Sequence, residues 1–193
     1  MTVDVIDRLV GITPGSPLDG IRAQRPEART HAQKSYEALF TPADAGGVTS
    51  AERFALAFYV VGLHGEAETA AFYGEGLPPG GLREAVESAV AQTRTHGPYG
   101  AFPAGPLSRE DKAGPAYAVD AATTSALGPR LAAAFAHAHM LVYHPRDAGP
   151  DTLAAMLAAG WTTTDVVTLS QIVSFLSFQI RVVAGFRVLR RAS

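Results

Sequence analysis

Fifteen consecutive residues, Val166 to Ile180, carry no charge, and Val166, Leu169, Val173, Leu176, Ile180 and Val183 step along the chain by three and four. That interval is the period of one face of an α-helix, so the stretch predicts a helix from about Thr163 to Arg191 whose apolar seam needs a partner helix. Thr168, Ser170, Gln171, Ser174, Ser177 and Gln179 interrupt the run, and a bilayer span needs about 20 predominantly apolar residues. The segment therefore reads as a buried helix of a soluble protein, with no membrane as partner. A second uncharged run, Phe54 to Leu63, follows Thr49-Ser-Ala-Glu52, a hydroxyl residue with an acid three positions on, the pattern that caps a helix N-terminus. Ten residues without a charge place that helix at the centre.

Helix signals continue along the chain and strand signals do not. A helix is expected from Glu27 to Phe40, stopped before Pro42, and a short one from about Glu66 to Gly76, closed by Pro78-Pro79-Gly80-Gly81. Leu82, Ala85, Val86, Ala89 and Val90 repeat at helical spacing with charges opposite. Thr95 to Pro106, rich in Gly and Pro, reads as a loop, followed by a short piece near Ser108 to Lys112. Gly128-Pro129 opens a helix reaching His144, and Thr152 to Ala159 gives another. Residues 1–26 contain Pro14, Gly15, Pro17, Gly20 and Pro26 and read as an extended arm over the core. The expected fold is all-α and one structural domain overall: an arm and first helix over 1–48, then a helical domain over 49–193. Setting Thr49 over Thr162 superposes Glu52 on Asp165, Leu56 on Leu169, Val60 on Val173 and Leu63 on Leu176, a weak echo between segments 49–94 and 128–193.

Composition narrows the function classes. Charged residues make up 18% of the 193 positions, against about 25% in average proteins, so surface is expected to be hidden in a core or against another subunit. The net charge of −2 gives no broad positive field for phosphates, which argues against nucleic acid as a partner. There is no cysteine, hence no disulfide, thiolate metal site or cysteine nucleophile. Asp4, Asp7 and Arg8 break up the first residues, unlike a secretory signal, so a cytoplasmic location is the expectation.

The stretch from Thr49 to Gly74 resembles the signature helix pair of the carboxymuconolactone decarboxylase and AhpD-like alkylhydroperoxidase superfamily, and Leu157 to Gly185 is similar to the tail of its peroxidase-related branch. In that tail Gln179 and Arg181 keep their places, whereas Ser177, Phe178 and Ile180 depart from the pattern. The resemblance implies an AhpD-like all-helical fold that assembles as a homo-oligomer, a dimer, trimer or hexamer. It also implies where redox chemistry would sit: the family's glutamate falls on Phe54, its two cysteines on Glu66 and Thr69, and its histidine on Tyr73. All four are replaced. Peroxide reduction of that kind needs a sulfur that can be oxidised and resolved, and Glu, Thr and Tyr do not supply one.

Two readings of the replacements stay open. Glu66, Thr69 and Tyr73 lie at i, i+3 and i+7 on one helical face, so Glu66 is a candidate general base, Tyr73 a candidate donor to an enolate, and Thr69 a substrate contact in a decarboxylase-like or isomerase-like enzyme. His64, beside the same turn, is a third candidate catalytic group, and Arg181 a candidate contact for an anionic or lactone substrate. In the other reading Glu66 caps a helix, Tyr73 packs in the core and Arg181 ties helices together through Glu52, Glu66 or Asp165. The protein is then a non-peroxidatic oligomer, a companion to a cysteine-bearing relative in antioxidant defence. His137 and His144 stand two turns apart with no local acid, unlike the i, i+4 pair of a helical metal site, so neither metal nor cofactor is expected.

Overall fold

The computed structural model describes the backbone of residues 4–192 and the side chains of residues 4–191. Among the described residues the regular structure is nine α-helices and two short 3-10 helices, Pro106–Glu110 and Pro145–Asp147, with no strand. The helices are α1 (Val5–Val10), α2 (Pro17–Ala23), α3 (Pro26–Phe40), α4 (Ser50–His64), α5 (Ala67–Gly74), α6 (Leu82–Thr93), α7 (Ala121–Tyr143), α8 (Pro150–Ala158) and α9 (Thr163–Ala192). The all-α expectation holds, including a long C-terminal helix.

Helix α4 is the axis. Every residue from Ala55 to Val61 is buried, which explains why a charge is absent from the whole run, and α5, α6, α7 and α9 all pack on it. Thr49 and Glu52 form the expected reciprocal cap: the Glu52 amide donates to Thr49 Oγ1 at 3.3 Å and the Thr49 amide to Glu52 Oε2 at 2.8 Å. Helix α9 starts the same way, with the Asp165 amide donating to Thr162 Oγ1 at 3.2 Å and the Thr162 amide to Asp165 Oδ2 at 2.9 Å. Leu56, Leu169, Val60, Val173, Leu63 and Leu176, the apolar pairs of the echo, are all buried.

Arg130 joins the two capped ends. It donates to Glu52 Oε1 at 2.8 Å, to the Gly47 carbonyl at 2.5 Å and to the Gly160 carbonyl at 2.7 Å, and lies over the Trp161 ring at 3.5 Å from its centroid. One guanidinium thus collects carbonyls from the approaches to both core helices, a use of its planar fork that an ammonium does not reproduce. Lower in the core Tyr59 stacks on Phe135 at 4.2 Å with an interplanar angle of 6°.

Two segments differ from the sequence reading. Of the stretch read as an extended arm over 1–26, the described residues 4–26 are instead helical in two places: Asp4 and Ser16 cap two short helices, and Pro17 occupies the first turn of α2, where the missing N–H costs nothing. These helices pack with α3 against α9 around a second core of Val5, Ile6, Val10, Ile12, Leu18, Ala32 and Val183. The helix read from Gly128-Pro129 to His144 is present, but a further helical stretch precedes it: α7 begins seven residues before Gly128, capped by Asp120, which accepts from the Thr123 amide at 2.7 Å. Gly128 (φ 72°, ψ 161°) bends it, and the Pro129 ring then restarts the helix.

Candidate functional site

The turn between α4 and α5 decides where the candidate side chains go. Gly62 lies inside α4 where a Cβ would come within 2.7 Å of Val90 Cγ2, so its bareness lets α6 approach. Gly65 then ends the helix in the left-handed region (φ 77°, ψ 18°), its N–H bonded to the Gly62 carbonyl at 3.0 Å. The αL residue swings the chain, and the residues on either side of it, His64 and Glu66, line different cavities.

Glu66 borders an open, mainly apolar cavity of about 510 Å³ with Phe58, Gly62, Ala70 and Val90 on its walls and Arg83, Glu87 and Arg94 among its polar groups. It occupies the N-cap position of α5 but makes no capping bond with its side chain. Its carboxylate instead accepts from Arg187 Nη1 at 3.2 Å, while Arg187 Nη2 meets Glu68 Oε2 at 2.8 Å and also bonds the Leu9 carbonyl. Arg187 is a site neighbour that sequence reasoning did not name. It lies 121 positions away, and no local spacing connects the two.

Thr69 and Tyr73 share a face with each other, as their spacing requires, and that face points inward. Both are fully buried, and neither borders the Glu66 cavity. Tyr73 donates its hydroxyl to Gln179 Oε1 at 2.6 Å and packs among Phe40, Phe54 and Phe72, with ring centroids 5.0, 6.4 and 5.1 Å away. Burial pushes the phenol well above its usual range, so it is held as a neutral donor. Thr69 Oγ1 and Gln179 Nε2 have no hydrogen-bond partner among the described residues.

The Tyr73–Gln179 bond joins α5 to α9 inside the core, and its removal is asymmetric. Tyr73→Phe leaves the Gln179 carbonyl oxygen buried and unpaired and is expected to lower the unfolding free energy by about 1–3 kcal/mol. Tyr73→Phe combined with Gln179→Met removes both halves, and is expected to be more stable than Tyr73→Phe alone in urea titrations of the three proteins. A double variant weaker than the single one would show that the side-chain bond is not what Gln179 contributes.

His64 and Arg181 do come together. They border a cavity of about 390 Å³ with Gly97, Pro98, Leu141, Val142, Tyr143, Pro145 and Ser177. Burial first, and the Arg181 charge second, hold the His64 imidazole below its usual range, and His64 Nε2 has no hydrogen-bond partner among the described residues. Arg181 is exposed and donates to the carbonyl of Ser177 on its own helix at 2.5 Å. It pairs with none of Glu52, Glu66 and Asp165: Glu52 takes Arg130, Glu66 takes Arg187, and Asp165 is occupied with the α9 cap. Of the five candidates, then, one lies at the larger cavity, two at the smaller and two in the core.

Three other histidines are engaged separately. His137 Nε2 lies 3.0 Å from Ser170 Oγ, His139 Nε2 donates to the Thr93 carbonyl at 3.2 Å, and His144 bonds Asp147 and the Pro115 carbonyl. No group of three or more His, Asp or Glu residues placed to hold a metal ion occurs among the described residues. Comparison of the chain with protein-family models, with curated proteins and with solved structures finds no match.

Proposed function

We propose that the protein is a non-peroxidatic, homo-oligomer-forming helical protein of carboxymuconolactone decarboxylase/AhpD-like type, whose former thiol site has lost its cysteines and lies partly in the core. Two copies meet through α9. The observation that carries the reading is the outward face of that helix. Val167, Gln171, Ser174, Phe178, Arg181, Gly185 and Val188 are all exposed and step by four and three, the interval of a helix–helix seam. They lie opposite the buried seam, so α9 has one face for its own core and another without a partner in the single chain.

The exposed seam has the physical character of an interface. Val167 and Phe178 are 56% and 47% exposed, and Leu153 and Leu157 of the neighbouring α8 are 46% and 47% exposed. Val167, Gln171, Ser174, Phe178 and Leu153 border one groove of about 760 Å³ between α3, α8 and α9. Ser174 and Gly185 are small enough for another helix to come close. By length and apolar content α9 also meets the measure of a membrane span, with 39% of its most apolar window buried. Gln171, Ser174 and Arg181 on the open face favour a second protein surface over lipid as its cover.

Two of the four matched positions support the loss of peroxidase chemistry, since Thr69 and Tyr73 are sealed while Glu66 borders an open cavity, and no cysteine is available. A companion role in antioxidant defence beside a cysteine-bearing relative is the physiological setting that this scaffold suits. A proton-transfer enzyme working from Glu66 has the 510 Å³ cavity in its favour, but Tyr73 and Thr69 lie outside that cavity and do not serve as its second proton carrier.

Sedimentation equilibrium at micromolar concentration is expected to give a multiple of the chain mass, and Val167→Glu/Phe178→Glu is expected to give a folded monomer. Two charges on a seam that must be desolvated cost several kcal/mol, enough to move an equilibrium constant by about 100-fold or more. A monomeric wild-type protein, or turnover of an organic hydroperoxide without added metal or haem, would overturn the proposal.

A further inference from the structure

The 390 Å³ cavity between the end of α4, the end of α7 and α9 has a one-sided chemistry. Its charged and titratable groups are cationic or neutral: Arg181, His64 and a tyrosine, with no Asp or Glu on the wall. Arg181 has no carboxylate within ion-pair distance among the described residues, and its recorded bond is to its own helix. A guanidinium carries five N–H donors in a planar fork, so further donors remain for an oxyanion. Pro98, Leu141, Val142 and Pro145 form the apolar part of the wall, and Gly97 and Ser177 complete it.

The cavity is also built rather than incidental. Tyr143, one of the lining residues, donates to the Leu63 carbonyl at 2.6 Å, at the residue before His64, and accepts from the Thr95 amide at 3.3 Å. The Tyr143 carbonyl in turn receives the Tyr99 amide at 2.6 Å. These bonds tie α7, the end of α4 and the 95–99 loop into one frame. Gly97 completes the frame, since a Cβ there would approach the Tyr143 carbonyl oxygen to 3.0 Å. His64 adds a half-buried imidazole with an unpartnered Nε2.

We propose that this cavity is a binding site for a small organic monocarboxylate, the carboxylate paired with Arg181 beside His64 and Ser177, and the apolar body lying against Pro98, Leu141 and Val142. A phosphate or dianion is a poorer fit, because one guanidinium supplies the only positive side chain of the wall and the apolar remainder does not solvate a second charge. The larger Glu66 cavity is not the equivalent site: it carries Glu66 and Glu87, and its Arg83 already serves the Gly74 carbonyl and Glu87. The carboxylate site shares Arg181 with the α9 seam proposed above but does not use Val167 or Phe178, so Arg181→Met is also run in sedimentation equilibrium, and a failure here leaves the Val167→Glu/Phe178→Glu result standing.

The test is a ¹⁵N–¹H NMR titration of the full-length protein with sodium benzoate, at ionic strength held constant with sodium chloride, and with benzamide as the uncharged control. Benzoate is expected to shift amides clustered at Gly97, Tyr143, Ser177 and Arg181 with a midpoint of about 1 mM, and benzamide is expected not to. Arg181→Met, which loses no bond to another helix, is expected to weaken benzoate by about 10- to 100-fold, the worth of a charge-assisted pair. Leu141→Trp fills the cavity with the charge intact and is expected to abolish the clustered shifts. The proposal is overturned by the absence of clustered shifts at about 20 mM benzoate, by benzamide binding as well as benzoate, or by either variant binding like the wild type.

Discussion

Arg53→Met is expected to lower the unfolding free energy by about 2–5 kcal/mol, the cost of stripping the donors from buried backbone carbonyls. Arg53 is 4% exposed, and its three guanidinium nitrogens donate to the carbonyls of Val48 at 2.9 Å, Leu39 at 2.7 Å and Ala45 at 2.8 Å. Leu39 belongs to the last turn of α3, whose final carbonyls have no partner within the helix. Ala45 and Val48 lie in the loop that delivers the chain to Thr49, the cap of α4. Met keeps the volume of the stem and removes every donor, leaving two buried acceptors, the carbonyls of Val48 and Leu39, that cost about 1–3 kcal/mol each before relaxation reduces the sum, and a third at Ala45 that water can reach. Lys is expected to rescue little, because one compact ammonium does not span three carbonyls set for a planar fork. Chemical unfolding followed by circular dichroism measures both variants, and a loss below about 1 kcal/mol for Met would mean that the loop re-forms its bonds with solvent at little cost.

That prediction concerns a residue whose importance is hard to see in the sequence, where Arg53 looks like the charged end of a helix start. What was legible was periodicity. The uncharged runs of α4 and α9 announced two central helices, and the Thr49–Glu52 cap was read because both halves of the device lie within four residues. What escaped had one of two physical causes. Pro17 was weighed as a helix breaker, although behind Ser16, and with Asp19 donating its amide to Ser16 Oγ at 3.3 Å, it is a helix starter. The other cause is sequence distance. The partners of Glu66, Tyr73 and Arg130 lie from 30 to 121 positions away, and no local rule selects Arg187 over Arg181 for Glu66. The common face of Thr69 and Tyr73 was legible, but its direction was not, because a helix built from Ala, Phe, Tyr and Gly has more than one face apolar enough to turn inward.

Arg22→Met is expected to cost the N-terminal helices about 3–5 kcal/mol of local stability, and to do so without unfolding the α4 core. Arg22, with a side chain 4% exposed, pairs with Asp4 at 2.6 Å and with Asp7, whose side chain is 9% exposed; Asp7 also meets Arg29, which bonds Asp19 at 2.8 Å. These five side chains bind α1, α2 and α3 to one another. Without Arg22, Asp4 loses its guanidinium and Asp7 keeps one partner where it had two, in a position water scarcely reaches. The helices it secures are short, six and seven residues in α1 and α2, below the length at which a helix holds itself in water. They depend on the network and on the small core around Ile6 and Val183. Amide exchange is therefore expected to quicken in α1 and α2 and to stay slow in α4 and α7, because local opening needs only the weaker unit to give way. Arg22→Met combined with Asp7→Leu is expected to recover part of the loss, since an apolar pair of similar volume carries no desolvation cost. Uniform acceleration across all helices in Arg22→Met would instead mean that the N-terminal helices and the α4 bundle open as one cooperative body.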